Sequence, residues 1–131
     1  MTEVKKLTKI ALIVVAIIPF LYGLMLVFLW DLTLNTEGWT NPLHPRLFGG
    51  ICFIGSLFAI IMLRKKEWEQ ISLTFMFFIA MFLATLIIEA TIIGLYISTF
   101  NARTIFQSIL DLILLSIMVA FFIISYIKQR S

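Results

Sequence analysis

The sequence predicts an all-α, polytopic membrane protein, a single domain of four transmembrane helices packed as an antiparallel bundle with both termini cytoplasmic. Three observations predict it. Hydrophobic residues make up 62% of the 131-residue chain and charged residues only 13%, about half the roughly 25% of a soluble domain. Four apolar runs, at about 10–30, 46–63, 71–99 and 105–127, alternate with short polar stretches, and a bilayer core of about 30 Å asks for about 20 apolar residues per helix. The basic residues sit beside those runs, so the net charge of +3 reads as a topology signal and not as a nucleic-acid footprint. The lone cysteine, Cys52, excludes an intramolecular disulfide and Cys-pair redox chemistry.

The first run follows Lys5, Lys6 and Lys9 and ends near Trp30. It is too long for a signal-peptide core and has no small-x-small cleavage pattern before Trp30, so it is expected to be an uncleaved transmembrane helix. Pro19 lies mid-span. Lacking an N–H, it is expected to kink the helix and to leave the Val15 carbonyl without a helical partner. Gly23, one turn on, opens that face to a close neighbour.

Asp31 to His44 is the longest polar connection, with turn signals at Asn35–Gly38 and Asn41-Pro42. Trp30 and Trp39 suit an interfacial aromatic belt. Pro45 fits the first turn of the second helix, where its missing N–H costs nothing. Arg46 falls in that turn, either anchoring the interface beside Asp31 or pointing inward at a carboxylate. His44 is expected on the loop surface. In the second run, Cys52, Ser56 and Ala59, with Gly55 beside them, form a small-residue stripe of the kind that lets helices approach in lipid. A charged turn, Arg64 to Gln70, closes it.

The third run spans about 30 residues, or about 45 Å of helix, and must tilt or protrude. The fourth is expected to begin with Thr104 as N-cap and Gln107 reaching back in a capping box. Of the ten basic residues, eight fall on the side of the chain ends and the 64–70 turn. Only Arg46 and Arg103 fall on the other. The positive-inside rule places the first side in the cytoplasm.

Two carboxylates interrupt the apolar runs, Glu89 and Asp111. An ionisable group at the centre of a span costs about 2.5–3.5 kcal/mol on insertion scales, so each needs a reason. Asp111 lies roughly 10 Å below the outer surface and Glu89 no deeper than roughly 15 Å, both in the outer leaflet. At about 100° per residue, Gln107, Ser108, Asp111, Leu115, Met118, Phe122 and Ser125 share one stripe, as an interior wall would. On the third helix Ala80, Ala84, Thr91, Gly94 and Ser98 line one face. Glu89 lies opposite, with Phe78, Phe82, Thr85 and Tyr96. That helix has two faces that want protein neighbours. The bland account of Asp111 is stabilisation by the helix N-terminal dipole and its neighbours Gln107 and Ser108. The sharper one is a shared outer-leaflet polar site of Glu89, Asp111, Arg46, Tyr96 and Gln107 that binds a cation, a proton or a ligand head group.

The stretch Asn41-Pro-Leu-His-Pro-Arg-Leu-Phe-Gly-Gly50, followed by a basic turn closing on Trp68, resembles a group of small uncharacterised four-helix prokaryotic membrane proteins. These share a Pro-rich outer loop, an Arg and a Gly opening the second helix, and a Trp after the inner turn. The resemblance covers about a quarter of the chain and implies a fold and a prokaryotic plasma membrane, not an activity. It marks Arg46, Gly49 and Trp68. The size is also similar to that of small multidrug resistance transporters, but their essential first-helix glutamate has no counterpart here.

No nucleophile–base pair can be read, and one histidine builds neither a paired haem site nor a typical zinc site. No cofactor and no metal are expected. The expected function is therefore that of a non-enzymatic membrane protein acting in the lipid bilayer by self-association or as an accessory subunit. A small transporter or ligand-binding bundle using the Glu89–Asp111 region is the alternative.

Overall fold

The computed structural model describes residues 2–29 and 43–131, with only the backbone of His44 and Pro45. Four long helices account for nearly all of it: α1 (Lys6–Phe28), α2 (Leu43–Leu63), α3 (Ser72–Tyr96) and α4 (Ala102–Arg130). Short 3-10 turns, Trp68–Gln70 and Ile97–Thr99, precede and follow α3. Stretches 6–28, 46–63, 72–99 and 102–130 are each long and apolar enough to cross a membrane. The expected first loop, with Asp31, Trp39 and the Asn41-Pro42 turn, lies outside the described residues, as does Trp30.

Neighbouring helices run in opposite directions. The contacts that show it pair Val15 with Ser56 and Gly23 with Gly49 between α1 and α2. Between α3 and α4, Met76 meets Tyr126 and Phe82 meets Phe122, and the start of α1 meets the end of α4 where Thr8 bonds Gln129. Gly55 of α2 faces Phe78 of α3, where an added Cβ would lie 3.9 Å from the ring.

The α1–α2 contact is the tight one. A Cβ on Gly23 would lie 2.9 Å from the Gly49 carbonyl oxygen, and one on Gly49 would lie 2.7 Å from Val27 Cγ2. Both glycines are needed because backbone meets backbone here, as in small-residue crossings in lipid. One turn away, Pro19 interrupts the hydrogen-bond ladder while α1 continues through it. The Ser56 hydroxyl donates to the Val15 carbonyl at 3.4 Å, a long bond but the one that answers the missing proline N–H. The small-residue stripe of α2 is therefore both a packing surface and a donor. Ser56 and Ala59 are buried and Cys52 half-buried.

The α3–α4 contact is wider and filled by rings. Phe75 stacks on Phe122 at 5.0 Å, Phe82 meets Phe122 edge-on at 5.5 Å, and Trp68 sits 5.5 Å from Phe75 and 5.8 Å from Tyr126. Such pairs add about 0.5–1.5 kcal/mol beyond the area they bury. The expected interior stripe of α4 lies where its period placed it: Gln107, Ser108, Asp111, Leu115 and Met118 are half-buried, Phe122 and Ser125 buried.

Four boundaries differ from expectation. α1 begins at Lys6, four residues before the expected start, with Lys6 and Lys9 inside its first turn. α4 starts at Ala102 because Asn101, not Thr104, is the N-cap, its side chain accepting the Thr104 N–H at 2.8 Å. Thr104 is instead a buried first-turn residue, and Gln107 turns forward. The helix also continues to Arg130, where Lys128 and Arg130 suit the negative end of the helix dipole. Finally, α2 opens at Leu43, so His44 belongs to its first turn and not to the loop. Pro45 falls in that first turn, as expected.

Candidate functional site

The candidate polar residues lie in the half of the bundle away from the 64–71 turn. Glu89 is half-buried on the α3 face that carries buried Phe78 and Phe82 and half-buried Thr85. That face is turned to the bundle because the phenylalanines pack there. Asp111 is half-buried on α4, one turn beyond Gln107, whose Nε2 donates to Asp111 Oδ1 at 3.1 Å. This i, i+4 pair is the bond described among the five candidate residues, and it suits a carboxylate in the second turn of a helix. Arg46 is exposed in the first turn of α2, and Tyr96 is 54% exposed at the end of α3. Glu89 and Arg46 each have interactions of their own, so neither counts as an unpartnered charge.

Three hydroxyls of this region are satisfied within their own helices. Thr85 donates to the Met81 carbonyl at 2.8 Å, Thr91 to Ile87 and Ser116 to Leu112 at 2.7 Å each. A hydroxyl bonded back in this way can face an apolar neighbour at little cost. On α3, Ala80, Ala84, Thr91, Gly94 and Ser98 are all exposed, and an added Cβ on Gly94 would meet nothing within 4 Å. Among the described residues no cluster of three His, Cys, Asp or Glu side chains could hold a metal ion.

The most connected polar cluster is one that sequence reasoning missed. Gln129, 1% exposed, accepts from the Lys5 N–H and from the Thr8 hydroxyl on Oε1, both at 2.8 Å. Its Nε2 donates to the Glu3 carbonyl at 2.9 Å. The segment 2–5 is held on its other side by the 64–69 turn: Val4 N–H to the Lys66 carbonyl at 3.0 Å and Trp68 N–H to the Thr2 carbonyl at 2.7 Å. Lys5 Nζ then reaches the carbonyls of Lys128 and Ser131 at 2.6 and 2.7 Å, placing a cation on the C-terminal end of α4. Glu69 accepts the Thr2 N–H on both oxygens, and hydrogen bonds to its own backbone N–H and to Thr2 hold its carboxyl below the usual carboxylate range. A glutamine between two cations looks like a solvated helix end. Only its position on the same stripe as Phe122 and Ser125, seven and four residues back, hints at burial.

Comparison with protein-family models, with curated proteins and with solved structures finds no match to this chain.

Proposed function

We propose that this chain is an integral membrane protein whose work is helix–helix association, as a homo-oligomer or as an accessory subunit, and not catalysis. In this reading four antiparallel helices cross a prokaryotic plasma membrane, with segment 2–5, the 64–71 turn and the end of α4 in the cytoplasm. The observation that carries it is the division of α3 into two faces. The phenylalanine face with Glu89 is used within the chain, whereas Ala80, Ala84, Thr91 and Gly94 are exposed. Small residues on a lipid-facing helix admit a close second helix, and packing, not hydrophobicity, holds such pairs.

The test is cross-linking in native membranes combined with Ala84→Leu/Gly94→Leu. A specific dimer or heteromeric product that the double variant loses, with unchanged expression, supports the reading. A clean monomer with no cross-linked partner would sink it.

A second reading has a specific observation behind it: two half-buried carboxylates, one bonded to Gln107, lie in the more open half of the bundle. Here Glu89 and Asp111 bind a proton or a cationic ligand head group, with Arg46 as counter-charge. It predicts that Glu89→Gln abolishes pH-dependent binding or flux in a protein that still folds. Unchanged flux in that variant rules it out.

A further inference from the structure

At the end where segment 2–5, the 64–71 turn and the close of α4 meet, two of the three described acids are hydrogen-bonded, while the third, Glu3, is exposed beside Lys6 and Lys9 and leaves the cations in excess. Glu69 accepts the Thr2 N–H at 3.0 and 3.1 Å, and Glu67 accepts from the Gln70 amide at 2.9 Å. Lys5 turns inward onto carbonyls, and Arg130 lies over the Tyr126 ring at 5.7 Å. The side chains of the remaining cations, Lys6, Lys9, Arg64, Lys65, Lys66 and Lys128, are exposed, and no hydrogen bond or ion pair of theirs is seen among the described residues.

Those six come from three distant segments that the structure sews together, through Val4 to Lys66 and Lys5 to Lys128. They form one collar. Directly beside them the helices turn apolar and exposed: Ile10 at 40%, Leu73 at 76% and Ile127 at 60%. A partner that reaches the cations therefore also lies against apolar surface. Nucleic acid or an acidic peptide meets only the first demand. A phosphate head group on acyl chains meets both.

We propose that this collar is a docking surface for anionic phospholipid, with Lys6, Lys9, Lys65 and Lys66 holding the phosphate-bearing head groups. The proposal rests on the reading that the four helices cross a bilayer. Each basic residue near an anionic surface contributes about a fivefold gain in partitioning, and the attraction fades within a Debye length.

The experiment reconstitutes the full chain into phosphatidylcholine vesicles and compares spin-labelled phosphatidylglycerol with spin-labelled phosphatidylcholine as probes of protein-associated lipid. The expected result is a several-fold preference for phosphatidylglycerol that collapses toward unity near about 0.5 M salt, where screening is within a few ångströms. Lys6→Gln/Lys9→Gln/Lys65→Gln/Lys66→Gln lowers the preference at least about threefold, whereas Arg103→Gln, at the opposite end, leaves it unchanged. Equal association of the two lipids, or a preference untouched by salt or by the quadruple variant, overturns the proposal. Should that variant not reconstitute, the salt titration of the unaltered protein and competition by soluble glycerol phosphate decide. Displacement of the labelled lipid by glycerol phosphate would mean a free-phosphate site and overturn the lipid assignment. A chain that does not float with vesicles overturns the membrane reading as well; one that floats without lipid preference overturns this proposal alone.

Discussion

The two halves of the bundle are built from the same apolar alphabet and end up unlike. In the half nearest the 64–71 turn, α3 buries Phe75, Phe78 and Phe82 and α4 buries Val119, Phe122, Ser125 and Gln129. In the other half α3 buries no residue and α4 only Thr104. Residue size accounts for the difference. On the face of α3 turned to the bundle, the rings of Phe75 and Phe82 reach Phe122 across the gap, whereas beyond them that face continues with the smaller Thr85 and with Glu89, both only half-buried. The other half, without rings between α3 and α4, is held by α1 and α2, through the Gly23–Gly49 approach and the Phe20–Phe53 and Tyr22–Phe48 pairs at 5.5 and 6.3 Å. That is also the half with Glu89 and Asp111. Dense α3–α4 packing and candidate chemistry thus lie in opposite halves of the bundle.

The most damaging change should be at the closed end. Gln129→Leu keeps the volume near constant but strands the buried Thr8 hydroxyl and two backbone groups, and unsatisfied buried groups cost about 1–3 kcal/mol each. With Lys5 and Glu3 partly open to water, we expect a loss of about 2–3 kcal/mol in detergent unfolding titrations. The exposed neighbour change Lys128→Leu should stay within about 0.5 kcal/mol. Equal effects would show that the network is ornamental and the contrast between halves overdrawn. Next comes Gly23→Ala, which forces a Cβ to 2.9 Å from the Gly49 carbonyl oxygen and 3.1 Å from the Phe53 ring. Overpacking of this kind costs about 1–3 kcal/mol. Gly50→Ala, with open space around it, should instead gain about 0.5–1 kcal/mol from helix propensity.

Ser56→Ala should cost less, about 0.5 kcal/mol, because its bond is long. Its value lies in coupling. Pro19→Ala restores an N–H that can reach the Val15 carbonyl, so the cost of Ser56→Ala should vanish in that background. Additive losses would mean that Ser56 is packing alone.

How much of this was readable in advance follows from which atoms make each contact. The α4 stripe from Gln107 to Ser125 was legible because side-chain burial repeats with the helical period. Pro19 and Ser56 were each conspicuous, one as the source of an orphan carbonyl and one on a small-residue stripe. Their meeting depends on helix register, which periodicity does not contain. The Gln129 clasp was illegible because two of its three partners, the Lys5 N–H and the Glu3 carbonyl, are backbone groups, which every residue possesses. The capping pattern Thr104 to Gln107 misled for a related reason. Asn101 offers the same chemistry three residues earlier, and local sequence does not choose between two good caps. The polar candidates were readable as anomalies, Glu89 and Asp111 being acids in apolar runs. Their partners were not, except where one lies four residues away on the same helix, as Gln107 does.

The smallest effect should be the pH response of the closed end. Glu69 is exposed on the turn, outside the helices proposed to cross the membrane, and its folded carboxyl titrates below the ordinary value of 4.5. A depressed folded pKa contributes stability that is present above the unfolded value and is lost as pH falls through the folded one. At neutral pH the Thr2 N–H is therefore held, and on acidification below about 4.5 it should be released. Gln129, Thr8 and the backbone bonds of Val4 and Trp68 do not titrate, so the release should stop at Thr2. Hydrogen exchange resolves this: protection at Thr2 should fall on acidification, after correction for the intrinsic rate, while protection at Val4 and Lys5 persists. Glu69→Ala, which removes the acceptor altogether, should show the unprotected Thr2 already at neutral pH. Loss of all three amides together would mean that the strap hinges on Glu69 and that the buried amide of Gln129 is not what closes this half of the bundle.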